Sequence, residues 1–534
     1  MKIFILATVA LTLMLSLGMV IEPVQKYGVG PEQVGHLLGY FLPITLTFVL
    51  PMAALFAASL VYGRFASDNE LDACKASGIS MLTLVYPGLV LAIIVAIANL
   101  ILSFYVMPVF VLRAEKSFKA DAQQILFRNI ERKGYYKMPG GKYVVYADAV
   151  DSESETLLGV IIAQVGGNKI EKVITAETAK VRFNPNGNGM YNEIRVSAKN
   201  IYQMASDDED GSFEYLSIKA EFPSLLGDDI KFKKVNEMKK IRDVDLLKFR
   251  PIEKLTGQVY ARYTTELLAQ DIQAKINSDP NAFYKLLCRD KSIEFTADNC
   301  KASKSRDDNR IDLTGNIVVK DSTQQPERVW KCSTASIYTE GDDFAPTLTM
   351  VLKNATWKQQ DGLTVHPRKS RIAGLIVPQS VAPEAHLPPE RVSASRTENI
   401  LTSILPSKRN QTAVLSQGPS KTLTSLQGQL KDKIRSTLDQ IKAETHSRLV
   451  FGVGCISMIM IGIGLGIIKK DGHMLAAFGA SCVPAVVLIV CMLMGRNIAN
   501  NSGSQAFSGI TLMWAGLGFL TILALIVYRR VLKS

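Results

Sequence analysis

Histidine is scarce in this chain and cysteine little commoner, with five and seven among 534 residues. His36, His366, His386, His446 and His473 are dispersed and show no metal-ligand spacing to Cys, Asp or Glu, which argues against a zinc-type site. There is no G-x-S-x-G elbow to carry a serine nucleophile. The nearest approach to a phosphate loop is GPSKT at Gly418–Thr422, and it lacks the Gly-Lys-Ser/Thr order that lets backbone amides cradle a phosphate. No catalytic residue, metal ligand or cofactor is therefore expected, and any ATP spent on this protein's behalf is expected to bind another chain. The cysteines say little. Cys455, Cys482 and Cys491 lie in apolar runs and Cys74 in a short polar segment. Cys288, Cys300 and Cys332 form an odd set that allows at most one disulfide, so free thiols and a Cys300–Cys332 bridge between neighbouring strands both stay open.

Apolar residues, by contrast, are plentiful and segregated. Hydrophobic residues make up 47% of the chain against 21% charged, too apolar for an ordinary soluble protein. They crowd into the stretch ending near Phe110 and the stretch starting near Leu449. Six runs are long enough to cross a bilayer, which takes about 20 apolar residues: Ile3–Ile21, Leu38–Tyr62, Met81–Phe110, Leu449–Ile468, Met474–Met494 and Ile510–Tyr528. The first is read as a retained helix rather than a cleaved signal peptide. Lys2 is a token n-region, the run outlasts the usual h-region, and no A-x-A site follows. The net charge of +12 is scattered and carries no aromatic-rich basic strand, so nucleic acid is not expected and a membrane with anionic headgroups is.

Lys and Arg accumulate on the cytoplasmic side of short loops. Arg64 and Lys75 lie between the second and third runs, Lys469 and Lys470 between the fourth and fifth, and Arg529, Arg530 and Lys533 after the sixth. The opposite short loops offer Lys26 and Arg496. Both termini are thus expected in the cytoplasm, and about Leu112 to Ser447 outside.

That outer segment opens with β signals: GKYVVYADAV, LLGVIIAQV, KVITAETAKVRF and NEIRVSAKNIYQM, broken by turn clusters such as MPGGK and NPNGNG. A helix is expected at about Leu255–Leu287, then a second β set from SIEFTADNC to TLTMVLKNATW. Two sets suggest either a repeated half-jelly-roll or one jelly-roll split by a helical insert. A Pro-, Ser- and Gln-rich linker follows, and Leu426, Leu430, Ile434, Leu438 and Ile441 then recur at helical spacing as an amphipathic stalk. The expected division is 1–111 for the first three spans, 112–244 for a β-jelly-roll-like region and 245–376 for a helical insert with a second β region. Residues 377–425 are a linker, 426–448 the stalk and 449–534 the last three spans. The fold class is an α-helical membrane protein, with 3 + 3 transmembrane helices around an inserted all-β jelly-roll-like domain enlarged by a helical and β insert.

Between the second and third runs sits YGRFASDNELDACKASGIS, Tyr62–Ser80. Ser67-x-x-Glu70 reads as a capping box, Asp68, Glu70 and Asp72 suit the positive end of a helix dipole, Lys75 the negative end, and Gly78 a left-handed C-cap. A short helix over about 67–78 is expected. It is either a plain connector or a rigid rod that transmits a motor's displacement into two membrane helices.

The stretch LPITLTFVLPMAALFAASLVYGRFASDNELDACKASGIS resembles the signature region of the LptF/LptG family of lipopolysaccharide-export ABC permeases. ETHSRLVFGVGCISMIMIGIGLGIIKKDG, with its E-x-x-x-R at Glu444 and Arg448, is similar to the family's later helices. The resemblance is carried by about Gly39–Phe110 and Glu444–Tyr528, and is architectural in between. It implies a permease subunit that extracts lipopolysaccharide, or a similar glycolipid, from a bacterial inner membrane towards the outer membrane. It implies an LptB-like cytoplasmic ATPase dimer, a second LptF/LptG-type permease or a second copy of this chain, and LptC/LptA-like periplasmic bridge proteins. The family's coupling glutamate maps to Glu70, with Leu71, Cys74, Lys75 and Gly78 around it. Anionic sugar-phosphates would call for cations at the outer rim, where Lys26, Arg113, Lys116 and Lys119 stand, although snorkelling to the interface also accounts for such residues. Two other readings are a permease of another lipid or lipoprotein-release ABC system, and a membrane-anchored periplasmic sensor or cell-wall protein. Permeases of the lipoprotein-release type carry one span before the outer domain, where this sequence has three.

Overall fold

The computed structural model describes all residues except 1, 28–29, 121, 138–142, 152–153, 167–168, 186–191, 206–210, 222–228, 279–282, 289–290, 304–308, 323–327, 343–344, 359–363, 368, 382–419, 469–473, 502–505 and 534. The MPGGK turn, most of NPNGNG, the body of the linker, and Lys469 and Lys470 lie outside the described residues. The chain divides into two compact units, Met1–Met238 with Asp439–Ser534, and Lys239–Leu438.

The first unit begins with α1 (Lys2–Tyr27), α2 (Pro31–Ser67) and α3 (Glu70–Ala76). Then α4 (Met81–Ile101) runs through a π-helical turn (Leu102–Val106) into α5 (Met107–Ala120), and α6 (Ala122–Lys133) follows. Six helices among the described residues are long and apolar enough to cross a membrane, three before the β region and three after. The last three are α9 (Lys421–Ile468), whose residues from Asp439 onward belong to this unit, α10 (Met474–Asn501) and α11 (Ala506–Lys533). Close helix approach is bought here by small residues. At Gly466 on α9, a Cβ would lie 2.8 Å from the Ser59 carbonyl of α2, so only glycine lets the two backbones come this near. Ala54, Leu55, Val95, Met458, Leu488 and Leu520 are buried in the resulting interior.

The β region of this unit is a single antiparallel sheet whose strands lie in chain order. They are β1 (Tyr135–Lys137), β2 (Tyr143–Asp151), β3 (Thr156–Gly166), β4 (Lys169–Pro185), β5 (Asn192–Ala205) and β6 (Gly211–Glu221). Alternation sends Val145, Val160, Ile162, Ile174 and Val181 to one face, where Ile125, Leu126 and Ile130 of α6 complete the core with Leu37, Phe41 and Val111. The opposite face keeps Tyr146, Leu158, Ile161 and Tyr202 exposed. In register, Tyr135, Tyr146, Ile161, Thr175 and Tyr202 form one row across five strands.

The second unit is built around α8 (Arg250–Ser278), preceded by α7 (Val235–Asp243) at the boundary. The helix expected at Leu255–Leu287 ends earlier, at Ser278. Tyr284–Cys288 is instead the strand β7. After it come β8 (Lys291–Thr296), β9 (Asn299–Ala302), β10 (Arg310–Asp321), β11 (Arg328–Asp342), β12 (Ala345–Lys353), β13 (Thr356–Lys358), β14 (Thr364–Val365) and β15 (Lys369–Ile376). The order β11-β12-β15-β7-β8-β10 closes on itself because β10 also pairs with β11. This ring removes the free edges of its six strands. Its interior holds Phe295, Leu313, Ile337 and Met350, and α8 adds Leu268 and Ile272. The two strand sets are thus separate sheets rather than halves of one split jelly-roll.

Helix α8 also carries a buried ion pair, Arg262 Nε to Glu266 Oε1 at 2.9 Å. Ser420 donates its backbone N–H to the Glu266 carboxylate at 3.1 Å, while its hydroxyl accepts the N–H of Leu423 at 3.1 Å as the N-cap of α9. A Cys300–Cys332 bridge is ruled out by topology. Cys300 on β9 is opposite Leu313 and Cys332 on β11 opposite Ile317, so β10 lies between them. Strands two apart are separated by roughly 9.6 Å, beyond the reach of a disulfide. Both thiols are free. Burial pushes Cys300 up to about 12, helped by the Asp312 charge. Burial raises Cys332 to about 11, with a backbone hydrogen bond at Thr334 opposing it.

Candidate functional site

Two places in the first unit gather polar groups against the helical bundle. The first is α3, clamped between α2 and α4. Its residues order themselves differently from the expected capping box. Ser67 is the last residue of α2, and its hydroxyl donates back to the Arg64 carbonyl at 3.0 Å. The N-cap of α3 is Asn69 in the left-handed region at φ 58°, with no side-chain cap bond. The hydroxyl is engaged one turn upstream, so the helix spans Glu70–Ala76 rather than 67–78. The C-terminal reading holds: Gly78 has φ 81°, its N–H bonds the Lys75 carbonyl at 2.9 Å, and Ile79 N–H bonds the Cys74 carbonyl at 3.1 Å. That pair of bonds is a Schellman motif. Ser80 then caps α4, accepting Thr83 N–H at 3.3 Å. Tyr62 near the end of α2 donates to the Leu84 carbonyl of α4 at 3.0 Å, bracing the two spans beside the cassette.

On α3, Leu71 is buried and Glu70 exposed, with Cys74 and Lys75 half-buried. Leu71 anchors the helix to the bundle, and Glu70, Asp72 and Ala73 face outward. The structure therefore brings Glu70, Leu71, Cys74 and Lys75 onto one short rod, with Gly78 closing it. No slack connects this rod to the spans. Every link from Arg64 to Leu84 is a helix, a bonded cap or a turn of a few residues.

The second place is at the other end of span three, about 33 Å of helix beyond Met81. Glu444 and Arg448 on α9 are 7% and 5% exposed, and Arg448 Nε donates to Glu444 Oε1 at 2.9 Å. The other Glu444 oxygen accepts from Arg496. Arg496 is therefore inside α10 and paired, not in a loop as the charge distribution suggested, because α10 runs on to Asn501. Arg448 spends its remaining donors on backbone: Nη1 on the Ser103 carbonyl at 3.0 Å and Nη2 on the Lys231 carbonyl at 2.8 Å. Its guanidinium stands 5.7 Å from the centre of the Phe104 ring. Sequence reasoning did not single out this cluster as a site. The signal available was an i, i+4 Glu–Arg pair at the mouth of an apolar run, since ionisable residues there are retained only when partnered.

The rim cations lie on α1 and α5. Arg113 and Lys116 on α5 are exposed, and the Arg113 guanidinium lies 5.4 Å from the Phe110 ring centre. Lys26 and Lys119 sit on α1 and α5 with side chains outside the described residues. No group of three or more His, Cys, Asp or Glu among the described residues could hold a metal ion.

A comparison with curated proteins gives no match. A family model described as lipopolysaccharide export system permease LptF/LptG matches residues 1–287 and 296–530. The match continues through most of 245–424, where the sequence alone offered only architecture. It takes in both polar sites, the first five candidate spans and the sixth up to residue 530. A multi-pass chain with three candidate spans on each side of its β regions fits that description: the chain belongs to the LptF/LptG family of lipopolysaccharide export permeases, components of a transporter rather than enzymes.

Proposed function

We propose that this chain is the permease subunit of an ABC transporter that extracts lipopolysaccharide, or a closely similar glycolipid, from the bacterial inner membrane. ATP is hydrolysed by a separate LptB-like ATPase dimer in the cytoplasm, and the permease pairs with a second LptF/LptG-type chain or with itself. The observation that carries this reading is α3, a short helix with an outward acidic residue, bonded at its C-terminus and continuous with two spans. A rod of this kind passes displacement on where a loop would absorb it. Glu70 is assigned the contact with the ATPase, Leu71 the anchor, and Cys74, Lys75 and Gly78 the remaining surface and stop.

Arg113, Lys116, Lys26 and Lys119 are assigned to the anionic headgroup at the periplasmic rim. The β region of the first unit is a single sheet with one face on α6, so acyl chains would lie on its open face, along Tyr146, Ile161 and Tyr202, rather than between two sheets. From there the lipid passes to LptC/LptA-like bridge proteins. Affinity purification of the chain from native membranes, with identification of bound proteins and lipids, tests the reading. An ABC ATPase and lipopolysaccharide should co-purify, and recovery of a different lipid or a lipoprotein would reassign the substrate. Absence of any ATPase would sink the proposal.

A further inference from the structure

The turn Leu102–Val106 of span three is π-helical, and its cause is two residues further on. Pro108 has no N–H, and its ring clashes with the carbonyl four residues back in an α-helix, that of Phe104. Widening the turn relieves the clash, and Met107 N–H now bonds the Leu102 carbonyl five residues back. The Ser103 carbonyl is then stranded. Its donor in the π-register would be residue 108, a proline, and its donor in the α-register, Met107, is already engaged. Inside a membrane protein an unmet carbonyl of this kind is strongly unfavourable, so a donor must be brought from elsewhere. Arg448 brings it, 345 residues away in the chain, at 3.0 Å.

The same guanidinium ties in two more pieces. Through Glu444 it is linked to Arg496 on α10, and through Nη2 to the Lys231 carbonyl, where the chain returns from the sheet. We infer that Arg448 is a positioning residue for transport, supplying the donor that Pro108 removes from span three and so holding spans three, four and five to the chain returning from the β sheet. A movement entering at α3 travels up span three and reaches a break at Leu102–Val106. Without Arg448 the break is a loose joint, and with it the displacement is handed to spans four and five and to Lys231. This rests on the permease reading above.

The test uses the full complex in proteoliposomes and reads lipopolysaccharide released per ATP hydrolysed. Arg448→Gln should lower that ratio roughly tenfold, the scale of losing charge-assisted hydrogen bonds. Pro108→Ala returns an N–H to span three and gives the Ser103 carbonyl a helical partner. In that background the same Arg448→Gln change should cost clearly less, about threefold, because the Ser103 carbonyl no longer depends on it and only the ties to Glu444 and Lys231 are lost. A merely structural ion pair with Glu444 would not respond to Pro108, so equal losses in both backgrounds overturn the inference, as does full coupling in Arg448→Gln. If Arg448→Gln fails to assemble, Arg448→Lys keeps the charge but cannot reach all three acceptors, and the same comparison is made with it. A wild-type complex that releases no lipopolysaccharide would instead overturn the permease reading, and this inference with it.

Discussion

Glu70 is the residue on which the coupling assignment turns, and its substitution separates a contact from a cap. Because Ser67 lies in α2 and the N-cap is Asn69, Glu70 has no capping-box partner to lose. It is exposed in the first turn of a seven-residue helix. Replacing it by alanine removes a favourable charge–dipole interaction of about 0.3–1 kcal/mol and gains a little helix propensity, so the net change in stability should stay within about 0.5 kcal/mol. A charged contact buried against an ATPase is a different scale, on the order of 2–5 kcal/mol. At 1.4 kcal/mol per decade this is roughly thirty-fold or more in affinity or coupled rate. Glu70→Ala and Glu70→Gln should therefore behave alike. Both should insert and fold with an unchanged thermal midpoint in detergent, and both should lose ATP-driven lipid release from proteoliposomes by more than tenfold. A working capping box would give a different pattern, with Gln close to wild type and Ala impaired. Normal release by both variants would refute the coupling role and move it to Leu71, Cys74 or Lys75.

Neutralising Lys26, Arg113 and Lys116 together should weaken photo-crosslinking to lipopolysaccharide while ATPase binding persists, and unchanged crosslinking would leave them as membrane anchors. Cys300 and Cys332, with thiol pKa values raised to about 12 and about 11, stay protonated near neutral pH. Maleimide labelling of the native protein at these sites should be slow and should accelerate only towards strongly alkaline pH, earlier for Cys332, whereas denatured protein labels at once. The sign for stability follows from the folded state holding its thiol protons more tightly than the unfolded chain. That contribution is complete below the ordinary thiol range and is lost as pH rises from there through the folded values of about 11 and about 12, so urea midpoints should fall on the alkaline side. Gly466→Leu must push against the Ser59 carbonyl backbone and should destabilise the packing of α2 on α9 by about 1–3 kcal/mol or more, seen as a lower melting temperature in detergent. An unchanged melting temperature would mean the two helices can part without cost.

The six candidate spans and most strands were legible in the sequence because each is specified locally, by runs or alternation of apolar side chains over 5–25 residues. Gly78 was legible for the same reason, since a left-handed C-cap is a property of one residue and its own turn. The error at Ser67 was also local in origin. A hydroxyl three residues before a glutamate satisfies the capping pattern, yet the helix preceding it runs on far enough to claim that hydroxyl for itself. The strand at Tyr284–Cys288 was read as helix because a short apolar run suits either state, and only its pairing with β8 and β15 decides.

What the sequence alone determined, then, is a membrane chain interrupted by β structure, with a short polar connector built to end sharply at Gly78. Tertiary structure decided everything that depends on distant partners. The second strand set closes into a ring only because β10 meets β11 as well as β8. Cys300 and Cys332 are kept apart because β10 takes the place between them. Arg448 finds its acceptors at Ser103 and Lys231, 345 and 217 residues away. Local propensity carries no record of which carbonyl a proline will strand and which arginine will come to meet it. That is settled when the helices pack, because a buried polar group must find a partner wherever the fold places one.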